Sequence, residues 1–269
     1  RYIALEVEGE NTDVIVYDIE RDTPTRLTFD SQRDGFPIWT PDGERIVFAS
    51  DREGSLNIYS KASDGTGQVE RITTSDQTQH PNTWADDGET LIAQVGRTGG
   101  NVDFDVVSVG SGDAEDAGFN TTFAEVYANV SPDGRWIAYM SNESGAFEIY
   151  ARPFPNVNDG RWQISRAGGT EPIWGPDSGE LFYRSGADMM LVNMVTEPTL
   201  APGTPEVLFT ALYRGGAPGR GRSWDLSPYC QLFLMIRNSG EVSGTTEELR
   251  IILVQNWFEE LRERLPLPQ

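Results

Sequence analysis

The chain has 269 residues, 38% of them hydrophobic, with 28 glycines, 16 prolines and a single cysteine, Cys230. It carries 42 acidic against 21 basic residues, a net charge of −21, and a field of that sign repels nucleic acid and anionic lipid at long range. No apolar run approaches the ~18 residues of a membrane-spanning helix, so neither nucleic-acid binding nor membrane insertion is expected. One cysteine excludes an internal disulfide and leaves the compartment open. No leader peptide opens the sequence, which leaves a cytoplasmic protein, a processed one or a piece of a longer one.

Taken in chain order, residues 1–7 (RYIALEV) match RWIAYMS from Arg135 and read as a second strand. Residues 14–18 and 25–28 read as a third and a fourth strand, so the first unit arrives without an innermost strand. Residues 36–73 hold the clearest unit. PIWT is a short apolar strand, and Pro41-Asp42-Gly43 is a turn, because Pro fixes φ, Asp bonds its own backbone and Gly accepts positive φ. RIVFAS, a turn at residues 51–54, the alternating LNIYSKA, a turn at residues 64–67 and a short VERIT strand complete it.

The unit recurs. Asp42-Gly43 is answered by Asp87-Gly88, Asp133-Gly134 and Asp177-Ser178-Gly179, at steps of 45, 46 and 44 residues. Trp39, Trp84 and Trp174 each stand three residues before their Asp, where the remaining copy has Val130. An apolar strand and a polar turn follow each time. The third copy carries a Gly-rich insert at residues 97–101 and an outer segment, 112–119, too acidic and Gly-rich to assign. The fifth has a long outer connection with Pro198, Pro202 and Pro205. Residues 212–222 (LYRGGAPGRGR) are a locally basic loop ahead of a sixth, degenerate copy, SWDLSPYCQLFLMI, in which Tyr229-Cys230 replaces Asp-Gly. Residues 248–256 read as a strongly apolar strand suited to closing a ring. Residues 257–265 read as a short helix with Trp257, Phe258, Leu261 and Leu265 on one face, stopped by Pro266.

Four antiparallel strands in about 45 residues cannot bury both faces alone, and their repetition predicts a β-propeller. The expectation is an all-β, single-domain, six-bladed propeller with blades near residues 1–30, 36–74, 80–119, 125–166, 171–210 and 222–256. Trp39, Trp84 and Trp174 are expected between blades, with Trp136 and Trp162 more exposed.

The pattern P-x-W-x-P-D-G-x-x-[IVL]-x-[FY], then D-R-x-G and an N-I-Y strand, resembles the TolB-type β-propeller repeat. Residues 36–59 fit it closely, and residues 130–150 fit it again, while the third, fifth and sixth copies fit more weakly. It departs from the WD-repeat pattern, since no Gly-His pair opens the blades and no Trp-Asp pair closes them. The C-terminal SWDLSPYCQLFLMI and NWFEELRERLP are similar to propeller sensor regions behind bacterial serine/threonine kinase domains. The resemblance implies a bacterial, extracytoplasmic binding module with a protein partner, tethered within a longer membrane protein.

For catalysis the sequence offers little. No G-x-S-x-G elbow, P-loop or dinucleotide fingerprint occurs. His80 is the only histidine, which excludes a multi-histidine metal site. The segments entering successive inner strands carry Asp34, His80, Glu125, Glu171 and Arg222, and these are the candidate ligand-binding residues, expected at one channel mouth. Non-catalytic recognition needs no cofactor. The alternatives are a Ca²⁺ or other hard-cation site among those carboxylates, and a carbohydrate-active or metal-dependent hydrolase that uses them in pairs.

Overall fold

The computed structural model describes residues 1–85, 88–97, 100–119, 121–216, 220–227 and 232–236. Blade 1 contains β1 (Tyr2–Glu8), β2 (Thr12–Asp18) and β3 (Thr23–Arg26). Blade 2 contains β4 (Asp34–Trp39), β5 (Arg45–Ser50), β6 (Asn57–Ala62) and β7 (Glu70–Arg71), and blade 3 contains β8 (Gln79–Trp84), β9 (Thr90–Gly96), β10 (Val102–Ser108) and β11 (Ala114–Asp116). Blade 4 contains β12 (Glu125–Val130), β13 (Trp136–Ser141), β14 (Glu148–Pro153) and β15 (Trp162–Gln163). Blade 5 contains β16 (Thr170–Trp174), β17 (Glu180–Ser185), β18 (Asp188–Val195), β19 (Ala201–Pro202) and β20 (Glu206–Thr210), with both β19 and β20 pairing with β18. Every pairing is antiparallel between chain neighbours except β18 with β20. Blade 1 lacks an inner strand among the described residues, as its sequence match to a second strand predicts.

The count of six blades is corrected to five. The sixth copy contributes β21 (Trp224–Leu226) and β22 (Phe233–Met235), a two-stranded ribbon among the described residues. This is the copy whose turn sequence departs from Asp-Gly, and two strands do not make a blade. The ring-closing strand expected at residues 248–256 and the helix expected at 257–265 lie outside the described residues. The segment left unassigned in the third copy forms β11.

The turn between the first two strands of a blade follows its sequence. Gly43, Gly88 and Gly134 have φ of 73°, 66° and 70°. In the fifth copy Ser178, not Gly179, takes that conformation, at φ 61°. The Asp side chains serve the turn: Asp42 accepts from the Thr40 hydroxyl at 2.5 Å and the Glu44 N–H at 2.9 Å.

Apolar residues alternate along each strand, so each sheet fills a seam on both faces. Val14, Val16, Leu27, Ile46, Phe48 and Tyr59 fill the seam between blades 1 and 2. Val47, Ile58, Leu91 and Ala93 fill the next, and Phe104, Phe119, Ile137 and Tyr139 the one after. Burying each such side chain is worth about 1.5–3 kcal/mol, so the seams hold the ring together. Trp84 Nε1 donates to the Trp39 carbonyl at 2.7 Å, tying blades 2 and 3. The expectation of an exposed Trp136 is corrected: it opens β13 on the face packed against blade 5 and is buried, edge-on to Trp162 with ring centroids 5.4 Å apart.

A second repeated device has no counterpart in the sequence reading. The first residue of the third strand in blades 2, 4 and 5 carries an oxygen that meets a hydroxyl on the outer strand's exit. Thr73 donates to Asn57 at 3.2 Å, Thr210 to Asp188 at 2.5 Å, and Ser165 to Glu148. The same hydroxyls of Thr73 and Ser165 accept the N–H of Ile58 at 3.0 Å and of Ile149 at 2.7 Å. Thr28 likewise accepts from Val14 N–H at 3.0 Å. Replacing Ser165 by alanine orphans the buried Ile149 N–H and one oxygen of Glu148. We expect Ser165→Ala to lower unfolding stability by about 1–3 kcal/mol in urea titration; a change within experimental error would refute this role.

Candidate functional site

The inner strands β4, β8, β12 and β16 contact one another in turn around the ring. Each carries a β-bulge at the same place. Phe36-Pro37 oppose one residue of β5, Tyr127-Ala128 one of β13, and Glu171-Pro172 one of β17. Phe36, Tyr127 and Glu171 adopt φ of 55°, 57° and 54°. Bulky side chains rarely enter that region, which costs about 1–3 kcal/mol each. The bulge of β8 differs, because Pro81 stands at the matching position and its ring holds φ negative.

A bulge leaves its N–H without a partner in the ladder. For two of the bulges the preceding blade supplies one. Phe36 N–H donates to Glu6 Oε2 of β1 at 2.9 Å, and Tyr127 N–H to Gln94 Oε1 of β9 at 3.4 Å. Glu6 and Gln94 hold corresponding places in their blades. Where the bulge residue is Pro81, with no N–H, the corresponding residue of β5 is Ala49, with no acceptor.

At blades 4 and 5 the bulges grip the basic loop. The Glu171 carboxylate is buried and accepts Ser223 N–H at 2.6 Å, Ser223 Oγ at 2.6 Å and Gly216 N–H at 3.1 Å. Tyr127 Oη donates to the Arg220 carbonyl at 3.1 Å. Arg222 donates to the carbonyls of Pro172 at 3.0 Å, Tyr127 at 3.2 Å and Ala128 at 2.8 Å. Its guanidinium thus satisfies carbonyls that two bulges turn out of their ladders, and burial lowers its pKa. Arg184 of β17 donates to the Arg214 carbonyl at 3.1 Å, and Arg214 reaches Glu8 of blade 1 at 3.8 Å. The described parts of residues 212–223 therefore form a strap touching blades 1, 4 and 5 at the ends where inner strands begin.

The structure brings Glu171 and Arg222 of the candidate set together through this strap. Asp34 is fully buried and paired with Arg52 of its own blade at 2.8 Å. Glu125 is buried and accepts from Thr121 and Ser141 of its own blade at 2.7 and 3.3 Å. His80 stacks on Phe36 across the blade 2–3 seam, with ring centroids 4.0 Å apart and planes at 12°. The Arg33 guanidinium lies over the Phe36 ring, 4.8 Å from its centroid. Burial lowers the His80 pKa to about 4, so the imidazole is neutral. Sequence reasoning missed Tyr127, Phe36, Gln94 and Glu6, since no glycine or turn residue marks those bulges. Among the described residues no group of three or more His, Cys, Asp or Glu side chains is placed to hold a metal ion, and no helix is long and apolar enough to cross a membrane.

These features define a β-propeller whose inner strands are bulged and strapped at one end. The chain belongs to the TolB beta-propeller domain family, whose model matches residues 2–150. An uncharacterized Agrobacterium fabrum protein is 40% identical over 73 residues, 26% of this chain and 25% of that protein. The chain thus aligns with a quarter or less of the length of the curated relatives it matches. A putative TolB from Agrobacterium tumefaciens superposes with a TM-score of 0.63 at 19% identity, covering 78% of this chain and 76% of that one. TolB from Acinetobacter baumannii superposes at 0.57 with 22% identity, over 76% of this chain and 51% of that one. At these identities the likeness is one of fold.

Gly216 passes so close to Glu171 that an added Cβ would stand 2.2 Å from the carboxyl carbon. We expect Gly216→Ala to unseat the strap while leaving the blades folded. Trypsin cleavage after Arg214 and Arg220 then accelerates roughly tenfold or more, since cleavage follows the population of the open form. An unchanged cleavage rate would mean that the strap is not held by Glu171.

Proposed function

We propose that this chain is a non-catalytic recognition module of an extracytoplasmic bacterial protein, one that presents the strapped end of its propeller to a protein partner. The observation that carries this reading is the strain concentrated there. Tyr127 and Glu171 hold costly backbone conformations, and both spend their side chains on residues 212–223. Strained positions cluster at binding sites because the surrounding structure must over-determine them. Leu212, at the start of the strap, is 86% exposed, an apolar side chain offered to solvent beside a rigid scaffold. Family membership and the TolB fold likeness support a binding role in the cell envelope, within a longer sensor or envelope protein.

The hydrolase reading draws less support. A retaining or inverting pair of carboxyl groups must reach substrate across about 5–10 Å. Asp34, Glu125 and Glu171 are instead buried and hydrogen-bonded within the protein.

Site-specific photo-crosslinking tests the binding reading. A photoreactive residue is placed at Leu212 or, as the control, at Val195, which is 57% exposed at the far end of β18, in chain exported to a bacterial envelope. The expected result is a discrete protein adduct from position 212 and none from 195. No adduct at 212, or equal adducts at both, would overturn the proposal.

A further inference from the structure

One polar pairing near the start of the inner strands is present in blade 2 and broken in blade 4. Asp34 opens β4, pairs with Ser50 of β5, and is neutralised by Arg52 at 2.8 Å. Glu125 opens β12 and pairs with Ser141 of β13 in the same register. The N–H groups of Arg52 and Glu143 each donate to the serine hydroxyl two residues earlier, both at 3.3 Å. Glu143 therefore stands where Arg52 stands, and a carboxylate replaces the cation. Oε2 of Glu125 and Oε1 of Glu143 are both buried with no hydrogen-bond partner, as is Oδ2 of Asp34. Asp34, however, has a cation on its other oxygen, and Glu125 has none.

The facing blade deepens the imbalance. Asp103, just inside β10, occupies the place of Asn57, Glu148 and Asp188. Those three meet an outer-strand hydroxyl, whereas the residue corresponding to Thr73 and Ser165 in blade 3 is Gly118. Asp103 takes the N–H of Phe104 instead, at 2.7 Å. Burial raises the Asp103 pKa. Burial, with a contribution from Asp103, pushes Glu125 up to about 7.

The other charged groups at this seam are committed. Arg152 of β14 donates to Tyr139 Oη at 2.8 Å and the Val157 carbonyl at 3.2 Å. Glu143 pairs with Arg161 at 2.5 Å through its other oxygen. Around Asp103 stand Asp105, Asp116 and Arg97, the last bonded to both of those aspartates at 2.6 and 3.2 Å. No cation among these hydrogen-bonds to Glu125.

We propose that the seam between blades 3 and 4 is a proton-dependent clasp, in which Glu125 is held as the neutral acid and its ionisation sets uncompensated carboxylates against one another across the seam. The folded protein binds this proton more tightly than the unfolded chain does. The contribution of Glu125 to folding therefore declines as pH rises from about 4.5 to about 7 and is level above that. A binding domain in a compartment whose acidity follows its surroundings gains, in this seam, a built-in response to pH.

Thermal unfolding of the wild-type chain and of Glu125→Gln between pH 5 and pH 8 tests this. Taking the difference between the two removes the contribution of the other carboxylates. The variant, which keeps the neutral shape, is expected to match the wild type near pH 5 and to exceed it by roughly 5 °C near pH 8. Glu143→Arg, which rebuilds the Asp34–Arg52 arrangement, is expected to flatten the same decline. Should Glu125→Gln not fold, the side-chain carboxyl ¹³C titration of Glu125 in the wild type decides, with a midpoint near 7 expected. A variant-minus-wild-type difference constant across pH, or a Glu125 midpoint below about 5.5, would overturn the proposal.

Discussion

The bulge in each inner strand is the constraint on which the rest turns. A blade's first strand must begin near the axis and then twist to join the sheet, and an extra residue opposite β5, β13 or β17 supplies that bend. The bend costs backbone strain at Phe36, Tyr127 and Glu171 and frees an N–H and carbonyls from the ladder. Buried main-chain groups need partners, and within one blade none is at hand. The preceding blade therefore provides Glu6 and Gln94, and the strap provides Arg222. Polar satisfaction at the axis is thus a property of the ring, and each blade is completed by its neighbours.

This explains which parts of the molecule were legible in the sequence. The period, the Asp-Gly turns and the tryptophans are local signals, repeated at 44 to 46 residues, and they located the first five blades. The bulges were not legible, because positive φ is usually announced by glycine, and here Phe, Tyr and Glu adopt it under tertiary compulsion. Candidate site residues were chosen by distance from the turn, without the bulge. Asp34 and Glu125 fall two residues before the bulge, His80 falls one before it, and Glu171 is the bulge residue itself. A single offset sends the first two to partners in their own blades and the last to the strap. Arg222 stood among the candidate ligand-binding residues, because sequence cannot show that three carbonyls converge on it.

The charge of −21 likewise has a structural side. Most of the arginines on the described blades are paired with carboxylates: Arg33 with Glu6, Arg52 with Asp34, Arg97 with Asp105 and Asp116, and Arg161 with Glu143. A planar guanidinium can serve two acceptors at fixed geometry where an ammonium acts as a point charge. That preference fits a chain with one lysine, Lys61, whose buried ammonium donates to the Leu27 carbonyl at 2.9 Å.

Internal repeats also allow an argument that a single sheet would not. Corresponding positions in different blades are controls for one another, because the backbone is shared and the side chains vary. Pro81 removes an N–H, and Ala49, the corresponding position of the preceding blade, offers no acceptor. Gly118 removes a hydroxyl, and Asp103, the acid that would have met it, turns to its own neighbour's N–H. Glu143 removes a cation, and the buried Glu125 is left without the ion pair that Asp34 makes. In the first case both members of the pair change and nothing is left unsatisfied. In the other two only one member changes, both at the seam between blades 3 and 4, and the uncompensated group is a carboxylate each time. A buried carboxylate without a paired cation resolves its cost by holding a proton. The departures from the repeat therefore point to chemistry that the repeat itself does not require.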